Sequence, residues 1–188
     1  METVVLPSTT NHKEQDMFRT ISLTALLVGT LDIIAANVQF YINTDRGSKL
    51  KLTGTDDPVS LVTYVTHGGP DRIFKYISKA VFDPTTHDKL LIIWGVVFHY
   101  MIAFLFTVFL FVIYPVMLRW LKNKLIVGLV YGFFIWAVMN LAVVPLSKIG
   151  KFPADVKQAI VAELILTFMI GLPIALIAHR YFSKKGTI

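Results

Sequence analysis

Four runs of this chain are apolar for longer than the thickness of a lipid bilayer, and that patterning constrains the fold more than any other feature. They cover about residues 17–42, 90–118, 125–146 and 158–182. A membrane-spanning helix needs about 20 such residues. The first run holds one acid, Asp32; the second holds no charge except a possible proton on His99; the third has no charged residue. The fourth carries Glu163 near one end and His179 and Arg180 at the other. Strands of a membrane barrel would alternate apolar and polar over about ten residues, and these runs do not. The expected fold is an all-α membrane protein, a four-transmembrane-helix bundle forming a single integral-membrane domain over residues 1–188.

Composition agrees. Of 188 residues, 55% are hydrophobic and 16% charged, with a mean hydropathy of +0.64. Soluble domains run near 45–50% apolar and about 25% charged. Disorder, collagen and a disulfide scaffold are excluded by the same figures. With no cysteine there is no thiolate nucleophile, no Cys-bound zinc and no iron–sulfur cluster. A net charge of +6 would suggest nucleic acid in a soluble chain; here it reads as loop charge beside a membrane.

Loop charges set the expected topology. The link between the second and third spans, Arg119-Trp120-Leu121-Lys122-Asn123-Lys124, is basic without an acid, and so is the tail with His179, Arg180, Lys184 and Lys185. The positive-inside rule places both in the cytoplasm, and with them the N-terminus. Residues 43–89 and 147–157 then face outward; Lys148, Lys151 and Lys157 against Asp155 weaken that contrast slightly. The N-terminal run is expected to stay as a span rather than act as a signal peptide. Glu2, Glu14 and Asp16 precede it, and it outlasts the apolar core of about 7–15 residues in a signal peptide.

Within the outer loop 43–89, Asn43–Thr55 reads as polar loop, and 58–66 as a short strand or a helical turn. Gly68-Gly69-Pro70 breaks the chain, with Pro suited to open a helix. Ile73, Phe74, Ile77, Ala80 and Val81 then recur at helical spacing, opposite Arg72, Lys75 and Lys79. A short amphipathic helix is expected there, capping the bundle mouth and ended by Asp83-Pro84.

Polar side chains inside spans usually face the bundle interior. Gly29, Asp32, Ala36 and Gln39 share one stripe; so do Gly95, His99, Ala103 and Thr107; Gly128, Gly132, Trp136 and Asn140; and Glu163, Thr167 and Gly171. Each polar residue lies among small ones, where helices approach closely. At about 1.5 Å per residue, Asp32 lies roughly 15 Å below the outer end of its span, His99 about 14 Å, and Asn140 and Glu163 about 8–9 Å. The expected intramembrane cluster is therefore Asp32 with His99, and Asn140 with Glu163 above them. It would bind a proton or cation, or else fix helix register. Gly128, Gly132, Gly29 and Gly171 are the expected packing positions.

Weaker signals absorb the remaining residues. Pro115, Pro145 and Pro173 are expected to kink or end helices. Trp120, Tyr41, Tyr114 and Tyr181 stand at span ends as interfacial anchors do. His67 and His87, with Asp83 and Asp88, match no metal-site spacing. No P-loop, nucleophile elbow, zinc-protease or dinucleotide motif is present, so no metal or cofactor is expected.

Short motifs along residues 20–182 carry a resemblance. They are Gly29-Thr30-Leu31-Asp32; Gly68-Gly69-Pro70 with Ile77-Ser78-Lys79-Ala80-Val81-Phe82; Phe98-His99-Tyr100-Met101-Ile102-Ala103; Gly128-Leu129-Val130-Tyr131-Gly132; Met139-Asn140 through Pro145-Leu146-Ser147; and Ile170-Gly171-Leu172-Pro173-Ile174-Ala175. The chain resembles small bacterial inner-membrane proteins of the YagU type. That pattern often places a His near the start of the last helix, where this chain has Glu163 and Thr167. The resemblance implies the bacterial inner (plasma) membrane and supplies no catalytic residue.

The functional expectation is a non-enzymatic membrane protein with a structural, assembly or stress-related role, its partner the lipid bilayer. The alternative is a small proton- or cation-linked transporter or channel component using Asp32, His99 and Glu163. Four spans without an internal repeat would call for a homo-oligomer to build such a path. An enzyme with His99 as base ranks last, because no nucleophile or metal set accompanies it.

Overall fold

The computed structural model describes residues 9–43, 60–82, 87–148, 156–186 and 188. The expected loop at Asn43–Thr55, the stop at Asp83-Pro84, and Lys151 and Asp155 of the 147–157 link lie largely outside the described residues. Those described are helical or turn, without a strand. Six helices follow in order: α1 (Thr9–Asn43), α2 (Leu61–Thr66), α3 (Gly69–Ser78), α4 (Asp88–Leu121), α5 (Lys124–Leu146) and α6 (Val156–Lys184). Of these, α1, α4, α5 and α6 are long and apolar enough to cross a membrane. Their most apolar stretches are only 28–33% buried, and Leu23, Val112, Leu164 and Phe168 point outward. That inside-out surface suits lipid rather than water.

Local chemistry sets each joint. Lys122 adopts the left-handed conformation at φ 55° and returns its N–H to Leu118, closing α4. Asn123 then caps α5 by accepting the Leu125 N–H at 2.8 Å. Two residues thus reverse the chain and hold α4 against α5 at this end. At the opposite end Ser60 caps α2 through the Thr63 N–H, so 61–66 is helical. Gly68, at φ 77°, makes the left-handed step into α3, and Pro70 stands in its first turn.

The amphipathic segment 73–81 is helical only to Ser78. Lys79–Val81 form a turn, because the Ser78 carbonyl takes the N–H groups of both Val81 and Phe82. This helix lies flat on α4: a Cβ on Gly95 would stand 2.1 Å from the Phe74 carbonyl oxygen. Lys75 pairs with Asp88 at 2.8 Å, Phe82 stacks with Phe98, and the Lys148 N–H reaches the Ala80 carbonyl. Tyr64 of α2 is fully buried beside Phe40 and Tyr41. Burial pushes its phenol above the ordinary value, Arg72 partly offsetting this, and its O–H donates to Asn37 Oδ1 at 3.2 Å.

The core occupies the half of the bundle nearer the α4–α5 turn. Leu110, Tyr114, Val127, Tyr131 and Ile174 are buried there, and α4 touches α6 through Phe111–Tyr181 and the parallel Tyr114–Phe182 stack. Tyr114 is therefore no interfacial anchor: it is fully buried, and its hydroxyl has no hydrogen-bond partner among the described residues. Its place near a span end matched an anchor, but the inward face of α4 decides its surroundings. Trp120, by contrast, is 81% exposed.

Two π-helical turns interrupt the spans, Met139–Val143 in α5 and Thr167–Gly171 in α6. Each is followed, one residue on, by a proline, Pro145 and Pro173. A proline lacks its N–H and crowds the carbonyl four residues back, so widening the preceding turn relieves the clash.

Helices α5 and α6 approach backbone to backbone. A Cβ on Gly132 would stand 2.4 Å from the Thr167 Cα, and one on Gly171 2.5 Å from the Gly128 carbonyl oxygen. Gly132→Ala is expected to cost about 1–3 kcal/mol, as overpacked cores do, read as unfolding of the detergent-solubilised protein by heat or SDS. Gly29→Ala should cost less, its Cβ meeting side chains of Tyr100 and Ala103 at 3.0–3.2 Å. Equal melting of Gly132→Ala and the parent would contradict the close approach.

Candidate functional site: a chamber at Asp32 and His99

Near the α3 end, the four long helices diverge around a chamber of about 200 Å³. Helix α1 supplies Asp32, α4 supplies His99, Ala103 and Phe106, and α5 and α6 supply Ile135, Met139, Leu166 and Ile170. Ile77 of α3 also contributes to its wall. All of it is apolar except Asp32 and His99.

His99 is buried, and its Nε2 lies 2.7 Å from the Gly29 carbonyl oxygen. A carbonyl only accepts, so Nε2 carries the proton and donates. In the neutral ring Nδ1 is then an acceptor, and it makes no hydrogen bond among the described residues. The approach depends on Gly29, where the Tyr100 ring and Ala103 already crowd the helix. Thr30 gives its hydroxyl hydrogen to Leu26 at 2.8 Å. Tyr100 O–H therefore donates to Thr30 Oγ1 at 3.0 Å and pins α1 to α4 beside the chamber.

Asp32 stands three residues after Gly29, one turn along the same stripe. Its carboxylate makes no hydrogen bond among the described residues. It lies within the bundle beside His99 in the chamber wall, yet retains accessible surface. Facing the chamber accounts for both.

Asn140 and Glu163 take other partners. Asn140 donates to the Trp136 carbonyl at 2.9 Å, within its own helix, and Glu163 accepts from Thr167 Oγ1 at 2.9 Å. Neither lines the chamber. The expected cluster thus divides: Asp32 and His99 share one space, while Asn140 and Glu163 are each bonded locally. Gly128, Gly132 and Gly171 lie at the α5–α6 contact, and Gly29 at the α1–α4 contact. Among the described residues no three His, Asp or Glu side chains converge as metal ligands.

The chamber walls were not singled out from sequence. Ile102 and Phe106 follow His99 at helical spacing and so share its face, but apolar side chains in a span carry no mark separating a cavity wall from a packed core. Comparison with known protein families, with curated proteins and with solved structures found no match.

The His99 tautomer is directly measurable. In ¹⁵N spectra of the protein labelled at histidine, neutral His99 is expected to show protonated Nε2 and bare Nδ1, assigned by its loss in His99→Ala. Protonated Nδ1 with bare Nε2 would contradict the Gly29 bond.

Proposed function

We propose that this chain is a multi-pass protein of a bacterial inner membrane that binds a cation at Asp32, as a proton- or cation-linked transporter or channel component. The carrying observation is the Asp32 carboxylate, without a hydrogen-bond partner among the described residues, in a chamber it shares with His99. A carboxylate held in an apolar interior is costly unless a proton or cation neutralises it. The buried core between the chamber and the α4–α5 turn closes the far half. Movement of a cation across the membrane would therefore need that half to open, or a second copy of the chain to complete the path.

Reconstituted in liposomes, the parent is expected to dissipate an imposed pH gradient or move a monovalent cation faster than empty vesicles do. Asp32→Asn should abolish this and Glu163→Gln should not, because Glu163 faces Thr167. Silence under both conditions would remove the transport part of the proposal.

A structural, assembly or stress-related role is the second reading, favoured by a separate observation. Asn37, His99, Asn140 and Glu163 all satisfy hydrogen bonds within or between helices, as residues fixing register do. Under it, Asp32→Asn, His99→Ala and Glu163→Gln would insert and behave in the cell like the parent.

For orientation we propose cytoplasmic termini, with α3 against the outer mouth, supported by the basic Arg119–Lys124 and C-terminal segments. The chain has no cysteine, so single cysteines report cleanly. An impermeant maleimide should label Thr66→Cys but not Asn123→Cys in intact spheroplasts, and the reverse in inverted vesicles. The opposite result would invert the topology.

A further inference from the structure

We propose that the ligand of the Asp32 chamber is a hydrophobic amine in its ammonium form, which arrives from the lipid through apolar crevices beside α4 and α5. The proposal rests on the cation-binding reading above and names the class of cation.

The acceptor set selects the charge and the donor. His99 spends its Nε2 hydrogen on Gly29, leaving Nδ1 to accept, and the Asp32 carboxylate accepts as well. Two acceptors, one of them a carboxylate, with no Lys or Arg beside them among the described residues, are complementary to a positively charged N–H group.

The walls select against a small metal ion. Calcium takes about 6–8 oxygen ligands and magnesium keeps most of its water, whereas Asp32 is the only carboxylate lining this chamber among the described residues. Carbon atoms attached to an ammonium would instead meet Ile102, Phe106 and Ile170, which line the same space.

The route comes from the neighbouring crevices, of about 510 and 390 Å³. Ile102 and Met139 form walls of both and of the chamber itself. These two side chains therefore stand where the three spaces meet, and Met is the most adaptable of apolar gates. The crevices reach the bundle's lateral surface at exposed Met101 and Leu105. Their volumes fall in the range of about 300–1,000 Å³ typical of small-molecule sites. An alkyl tail would lie in a crevice with its ammonium at Asp32, the whole molecule staying at membrane depth.

The test measures binding to the full chain in phosphatidylcholine nanodiscs, with empty nanodiscs subtracted. The probes are dodecylamine, dodecanol and dodecyltrimethylammonium. Saturable binding of dodecylamine is expected, with weaker binding of the alcohol, which lacks charge, and of the trimethyl compound, which lacks an N–H. Asp32→Asn should weaken dodecylamine by about tenfold or more. It strands no hydrogen-bond partner among the described residues, and a gel-filtration profile matching the parent's is the check on its folding. Ile102→Trp, which crowds the junction while leaving Asp32 in place, should weaken dodecylamine as well and keeps the test valid if Asp32→Asn misfolds. Equal dodecylamine binding by the parent and both variants would overturn the proposal, as would equal affinity for dodecanol. Binding of sodium, potassium or protons that is lost in Asp32→Asn, with no saturable dodecylamine binding, would overturn the amine assignment and leave the cation reading standing. If Asp32 binds none of these, both fall.

Discussion

The close approach of α5 and α6 at Gly128, Gly132 and Gly171 is the contact on which the rest of the bundle depends. With glycine on both sides, two backbones meet where side chains elsewhere hold helices about 8–10 Å apart. In lipid there is little hydrophobic gain from pairing one apolar helix with another, so association comes from such packing and from hydrogen bonds. Once α5 and α6 are joined, Tyr131, Ile135, Ile174 and Ala175 form a surface that α1 and α4 complete with Val28, Leu110 and Tyr114. The turn at Lys122–Asn123 ties α4 to α5 at the same end.

Those constraints act at one end only, and this explains why the other end is open. Beyond Gly132 the π turn Met139–Val143 and Pro145 interrupt α5, whereas the π turn of α6 lies at the contact itself, with Thr167 against Gly132 and Gly171 against Gly128. Helix α3 takes up part of the resulting space by pressing onto Gly95, and the remainder is the chamber and its crevices. Polar residues at this end differ among themselves: Asn37, Asn140 and Glu163 have local partners, whereas Asp32 faces space. The chamber therefore lies at the less tightly packed end, and the buried core separates it from the α4–α5 turn.

The spans were legible in the sequence because the physics that makes them is one-dimensional: a bilayer demands about 20 apolar residues in a row whatever packs beside them. The glycine stripes were legible for a similar reason, since spacing alone puts Gly128 and Gly132 on one face. The partners of the polar residues were not. His99 bonds a backbone carbonyl, an acceptor every residue carries, so no pattern marks Gly29 as its partner. Asn140 and Glu163 were expected together from similar depth. Depth says nothing about rotation about the helix axis, and each side chain bonds one turn away in its own helix. Tyr114 shows the same gap, its position matching an anchor and its face matching the core.

A single carboxylate facing an apolar chamber also limits how the site can work. Asn37 and Glu163 share their helices with partners that hold them when empty, whereas Asp32 has no such alternative among the described residues. On the proposed cation-binding reading, its charge is balanced by what enters or removed by a proton, and these two states exclude each other at the same oxygens. Occupation by a cation and protonation of Asp32 are then competing events, which is the minimum linkage a proton-coupled site requires. The close approach of α1 to α4 that presents the Gly29 carbonyl to His99 thus leaves Nδ1 as a second acceptor in the chamber.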